Sequence, residues 1–328
     1  MSDSASGFSK AELFDACEWV HAQMPATPLH FWPQLSTATG ARVWIKHENH
    51  APTGAFKVRG GMTFIGWLRR SHPDCPGIVT ATRGNHGQSQ ARAATAAGMR
   101  AVIFVPHGNS IEKNAAMRAY GADLREAGQD FDEARQAAMR VADEEGLFLV
   151  PPFHRAIVRG VATYAVEMFQ AKPDLHTVYV PIGCGSGICG VIAARDALGV
   201  RTRIVGVVST EAQGALLSVK AGRVVETPSA KTFADGLAVR IPVPEAYEIY
   251  SRGADDFIAV SDHEIADAMR LLHRATHNLA EGAGAAALAA ALKDKDRIAG
   301  RDVGIVLSGA NIDAEWASMI LAGGTPAL

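Results

Sequence analysis

Four segments of the chain concentrate the side chains that can do chemistry. The first runs from Lys46 to Gly61 and includes Thr53-Gly54-Ala55-Phe56-Lys57-Val58-Arg59-Gly60-Gly61. Thr53-Gly54 reads as a turn, and Phe56-Lys57 falls where a helix can begin. The positive end of a helix macrodipole favours anions, so an amine placed there is pushed toward its neutral form. A nucleophile or base needs that form. On residue types alone, Lys57 and Arg59 read more simply as solvated charges flanking a buried Phe56.

The second segment is Thr80-Ala81-Thr82-Arg83-Gly84-Asn85-His86-Gly87-Gln88, between a strand-like run and a helix-like run. Gly84 and Gly87 let backbone approach a ligand. Thr82, Asn85 and the free amides of an opening helix can hold a carboxylate. An ordinary capped turn accounts for the same residues. The third segment is Pro181-Ile182-Gly183-Cys184-Gly185-Ser186-Gly187-Ile188-Cys189-Gly190. Its glycines suit a nest of amides around a phosphate. Gly185–Gly190 also fits the dinucleotide pattern GxGxxG, with Glu211 placed where a ribose-binding acid can sit. This segment alone therefore leaves a nicotinamide dehydrogenase open. The fourth segment is Leu307-Ser308-Gly309-Ala310-Asn311, where Ser308 is a neutral hydrogen-bonding group after a strand, or simply a helix cap.

The surrounding sequence says what positions these segments. Nearly continuous apolar runs occur at Ala41–Ile45, Gly77–Ala81, Ala101–Val105, Thr177–Ile182, Arg203–Val208 and Val303–Leu307. Such runs suit strands buried on both faces of a parallel sheet. Helix-like stretches alternate with them, at Gly87–Ala97, Ser110–Tyr120, Asp130–Glu145 and Asp262–His273. The rhythm predicts an α/β fold with mostly parallel sheets flanked by helices, and ligands at the carboxyl ends of strands. At 328 residues the chain is long enough for two lobes. A crossing near Pro151-Pro152 predicts a large domain from 1–75 and 151–328 and a small domain from 76–150 that closes over the substrate.

Composition excludes several classes. Net charge is -2 with His neutral, so no basic field recruits nucleic acid or an anionic membrane. No apolar run is long enough for a bilayer. The four cysteines, Cys17, Cys75, Cys184 and Cys189, form no CxxC pair and have no His cluster nearby, as expected of reduced thiols. The N-terminus lacks a basic start followed by an apolar core, so a cytoplasmic location is expected.

Taken in order, the four segments resemble the threonine dehydratase and serine racemase family of pyridoxal-phosphate enzymes of fold type II. The matching positions are Thr53–Gly61, Thr82–Gln88, Gly183–Gly187, Ala234-Asp235-Gly236, Glu281 and Ser308–Asn311. Each motif alone is of moderate specificity; the ordered set spans nearly the whole chain and outweighs the dinucleotide reading. The resemblance implies pyridoxal 5'-phosphate as cofactor, carried covalently by Lys57, which later acts as base at the substrate Cα. It implies Phe56 packed against the cofactor ring, Gly236 near the other face and Asn85 bonded to the ring hydroxyl. The phosphate would be held by Gly183, Cys184, Gly185, Ser186 and Gly187, and the pyridine nitrogen by Ser308. The substrate carboxylate would be held by Thr82, Asn85 and His86. Glu281 would lie near the cofactor. The implied reaction removes water and then ammonia from a small β-hydroxy amino acid, leaving a 2-oxo acid. Racemisation and β-replacement are the alternatives within the same fold, and a homodimer is expected from the resemblance alone.

The sequence departs from the family at three places. Arg83 stands where the racemases resembled here carry a serine acid/base, and arginine stays protonated. Racemisation is therefore expected to be weak, and Arg83 becomes a candidate partner for an anionic substrate group, as in hydroxyaspartate. Val208 and Gly214 stand where acidic metal ligands occur in the family, so no such metal site is expected. The chain ends soon after Asn311, so the regulatory domain of biosynthetic threonine dehydratases, and feedback control through it, is not expected.

Overall fold

Ten strands form two sheets in a computed structural model that describes residues 7–327. In chain order they are β1 (Leu29–Phe31), β2 (Arg42–His47), β3 (Gly77–Ala81), β4 (Arg100–Val105), β5 (Asp123–Glu126), β6 (Phe148–Leu149), β7 (Thr177–Pro181), β8 (Arg203–Ser209), β9 (Asp256–Val260) and β10 (Asp302–Leu307). The larger sheet runs β1-β2-β10-β7-β8-β9 and the smaller β5-β4-β3-β6. All neighbours are parallel except β1 and β2. The α/β architecture expected from the sequence is thus observed.

The six runs anticipated from the sequence become β2, β3, β4, β7, β8 and β10, with no end moved by more than two residues. These are the six interior strands of the two sheets. Their apolar side chains are buried on both faces, as in β10, where Val303 to Leu307 are all buried. The four strands not anticipated from the sequence are the four sheet edges.

Two apolar clusters support the larger sheet, one on each face. One centres on helices Arg155–Ala171 and Ser186–Leu198. The other centres on helix Gly282–Lys293, whose Gly282 to Ala291 are all buried. Alanine favours the helix and its small side chain lets the helix lie close to the sheet. No helix among the described residues is long and apolar enough to cross a membrane.

Candidate active site

The four sequence segments meet at the carboxyl ends of β2, β3, β7 and β10. Each is the connection leaving one of those strands, which is where ligands gather in open parallel sheets.

Lys57 opens helix Lys57–Ser71. Its Nζ donates to Ser186 Oγ at 3.1 Å and sits 4.9 Å from the centre of the Phe56 ring. Burial pulls its amine below the usual lysine range, against the opposing pull of Cys184 and Glu281. The helix it opens is held from below. Arg59, fully buried, donates to Glu48 at 2.7 Å and to Glu167 at 2.6 Å, and Lys46 reaches Glu167 at 2.5 Å. The solvated pair of charges suggested by residue types is therefore wrong for Arg59. Its stem and head are enclosed, and two carboxylates compensate the guanidinium. Ser89 Oγ donates to the carbonyl of Lys57 at 2.6 Å, tying the β3 connection to the same helix start.

Ser186 opens helix Ser186–Leu198, and Gly185 precedes it with φ +93, a conformation that favours glycine. The first amides of such a helix have no partner within it and face an incoming anion. Gly183 approaches the Asp235–Leu237 turn so closely that a Cβ there would fall 2.2 Å from the Gly236 carbonyl. Cys184 is half-buried, and burial raises its thiol pKa.

Thr82 is buried, and its Oγ1 accepts from the amides of Gly84 at 3.0 Å and Gly87 at 3.3 Å. The hydroxyl thus shapes the turn. Asn85 Nδ2 donates to Glu281 Oε1 at 2.7 Å, while its Oδ1 accepts from Asn311 Nδ2 at 2.8 Å. These two bonds fix which way the amide points. His86 Nε2 and Glu281 Oε2 are buried without a hydrogen-bond partner. Burial, with the nearby Lys57 cation, drops His86 to about 3, so it is a neutral imidazole. Burial raises Glu281 to about 7. Ser308 is buried, its carbonyl accepts from Phe56 N at 3.0 Å, and its hydroxyl bonds to no described residue.

Contacts therefore link the four segments through eight of the expected residues. Ser186 touches Lys57, Phe56 touches Ser308, Gly183 abuts Gly236, and Glu281 joins Asn85 to the Ser308-Gly309 connection, its amide donating to Gly309 O at 3.1 Å. Arg83 is not among them. Its side chain is exposed and makes no ion pair with a described residue. Two contributors were not anticipated as site residues: Asn311, which orients Asn85, and Lys113, a buried lysine that pairs with Asp235 at 2.5 Å. Asn311 lies inside a quoted motif; Lys113 carries no local signal, because its burial depends on the meeting of two distant segments.

The arrangement fits an anionic, ring-bearing cofactor joined through an amine. It holds an enclosed lysine, a glycine-lined helix start, and three inward polar groups without protein partners. A family model described as pyridoxal-phosphate dependent enzyme matches residues 22–309. The chain belongs to this family. An L-threonine ammonia-lyase of Thermotoga maritima is 35% identical over 296 residues, covering 90% of this chain and 73% of that protein. Among solved structures, the processed form of threonine deaminase isoform 2 from Solanum lycopersicum superposes with a TM-score of 0.87 at 30% identity, covering 97% of this chain and 95% of that one. Maize serine racemase superposes with a TM-score of 0.89 at 28% identity, covering 95% and 96%. The protein is accordingly a pyridoxal-phosphate-dependent enzyme of fold type II, and the dinucleotide reading of Gly185–Gly190 falls away.

Proposed function

We propose that this enzyme is an ammonia-lyase acting on a threonine- or serine-like β-hydroxy amino acid, with Lys57 as its catalytic residue. The observation that carries the reading is the enclosed Lys57 amine set 3.1 Å from the hydroxyl that opens the glycine-lined helix. The names of the relatives, L-threonine ammonia-lyase and threonine deaminase, supply the reaction class.

When bound, pyridoxal phosphate supplies the electron sink that makes the substrate Cα–H acidic and lets the β-hydroxyl depart. The chain does the rest. The amides of Gly183, Cys184, Gly185, Ser186 and Gly187 would hold the cofactor phosphate. Ser308 would meet the ring nitrogen as a neutral hydrogen-bonding group, and Phe56, Asn85, Gly236 and Glu281 would lie around the ring. Thr82, Asn85, neutral His86 and the backbone amides of Asn85 and His86 would bind the substrate carboxylate, fixing which bond at Cα faces Lys57. Lys57 Nζ would take the Cα proton, and burial, which lowers its proton affinity, favours the free-amine form a base needs. The products after loss of water and hydrolysis are a 2-oxo acid and ammonia.

Residues 76–150 are read as the small domain that closes over this site, with 1–75 and 151–328 as the large domain. A cytoplasmic homodimer without nucleic-acid or membrane partners is the assembly we expect, in keeping with the net charge of -2 and four free cysteines. Arg83 is retained as a contact for an acidic substrate side chain, approached from solvent.

The test is a panel of serine, threonine, phenylserine and hydroxyaspartate assayed for 2-oxo acid and ammonia released together. Turnover of threonine or serine supports the reading. Racemisation without ammonia release contradicts it.

A further inference from the structure

Lys113 lies in helix Ile111–Ala119, which follows β4 of the smaller sheet. Its partner Asp235 lies in the Asp235–Leu237 turn against Gly183. The lysine stem covers Gly84, where a Cβ would fall 2.5 Å from Lys113 Cδ. Its ammonium meets Asp235 Oδ2 at 2.5 Å. One side chain thus spans from the turn that precedes Asn85 to the turn that abuts Gly183.

The neighbours of Lys113 make the same crossing. Ser110 Oγ accepts from Lys113 N at 3.0 Å and donates to Asp313. Glu112 Oε1 accepts from Ala314 N at 2.9 Å. The start of this helix is therefore fastened to the larger-sheet part of the molecule at three residues. The charged groups that bear on Glu281 arrive from three elements: Lys113, Asp235 and Lys57.

We propose that Lys113 is a positioning residue of this site: paired with Asp235, it holds the Arg83–Asn85 turn in place and sets the charge environment of Glu281, the acceptor that orients Asn85. An ionised Glu281 gives Asn85 a charge-assisted bond, stronger than a neutral one. Lys113 favours that ionised form and Asp235 opposes it. The two partners therefore act on Glu281 with opposite sign, so their single variants should shift its behaviour in opposite directions.

The pH arm of the test rests on the lyase reading; a second arm does not. The acid limb of kcat/KM is compared in wild type, Lys113→Met, Lys113→Arg and Asp235→Asn. Lys113→Met is expected to move the limb upward by roughly half to one pH unit, and Asp235→Asn downward by a similar amount. Lys113→Met should also raise KM about tenfold, while Lys113→Arg stays within about threefold of wild type. In the second arm, hydrogen exchange of residues 82–88 is followed in cofactor-free protein. Lys113→Met should speed it about tenfold and Lys113→Arg should not. Limbs that move together or stay fixed, with unchanged exchange, overturn the proposal. If no amino acid is turned over, the lyase reading fails, and the exchange arm alone decides the role of Lys113.

Discussion

The side-chain amide of Asn85 donates to the Glu281 carboxylate across 2.7 Å. One residue opens the helix that follows β3 of the smaller sheet, and the other caps the Ala-rich helix that backs the larger sheet. Asn311 completes the arrangement by donating to the Asn85 oxygen and, from the same amide nitrogen, to the carbonyl of Thr53 at 2.8 Å. Asn85 is thus oriented before any ligand arrives. Preorganisation of this kind reduces what binding must spend on ordering the site.

Glu281 gives a prediction in stability as well as activity. Burial raises its carboxyl from 4.5 to about 7, so folding favours the protonated form. The stability associated with that form is fully present below pH 4.5 and is lost as pH rises through 7. Glu281→Gln mimics the protonated state and should lose none of it. Between pH 5 and pH 8, urea unfolding of the cofactor-free wild type should therefore weaken by about 1–3 kcal/mol relative to the variant. The same substitution should flatten the acid limb of kcat/KM near neutrality.

Arg59 is fully enclosed and compensates Glu48 and Glu167. Removing it strands Glu48, which is itself fully buried, while Lys46 still serves Glu167. Arg59→Met should cost roughly 3–5 kcal/mol in urea unfolding, because an uncompensated buried charge is left behind. Because the cluster lies under the first turn of the Lys57 helix, turnover should fall in the fraction that remains folded.

The close approach of Gly183 to Gly236 predicts sensitivity to a single methyl group. In Gly183→Ala the Cβ would meet the Gly236 carbonyl at 2.2 Å, so one of the two turns must shift. Overpacking of this sort costs about 1–3 kcal/mol. If it falls on cofactor binding, affinity for pyridoxal phosphate drops about ten- to a hundredfold. Titration of the cofactor-free protein by absorbance measures this directly.

Legibility of the fold followed burial. The interior strands announced themselves because both faces are apolar, as in Val303-Gly304-Ile305-Val306-Leu307 of β10. The edges did not. In β5, Asp123 and Arg125 pair with each other and with Arg100 and Glu145 at the rim of the smaller sheet. Strand β9 has only Val260 fully buried, and β6 is two residues long. The apolar runs at β6 and β9, Leu147–Val150 and Phe257–Val260, are four residues long and only partly buried, and β5 has none, so the edges stand out less than the interior strands. The site divided in the same way. Lys57, Asn85, Glu281 and Ser308 stand in ordered motifs, whereas Lys113 is enclosed only because Gly84 and Asp235 arrive from segments 29 and 122 positions away. Arg83, singled out for its charge, points to solvent, and the buried cation beside that turn is Lys113.

The most direct test of the account is borohydride treatment of the cofactor-loaded enzyme, followed by peptide mapping. A single pyridoxyl modification is expected, on Lys57, with loss of turnover. Modification at Lys113, or at no lysine of the chain, would contradict the assignment of Lys57 as the residue that carries the cofactor.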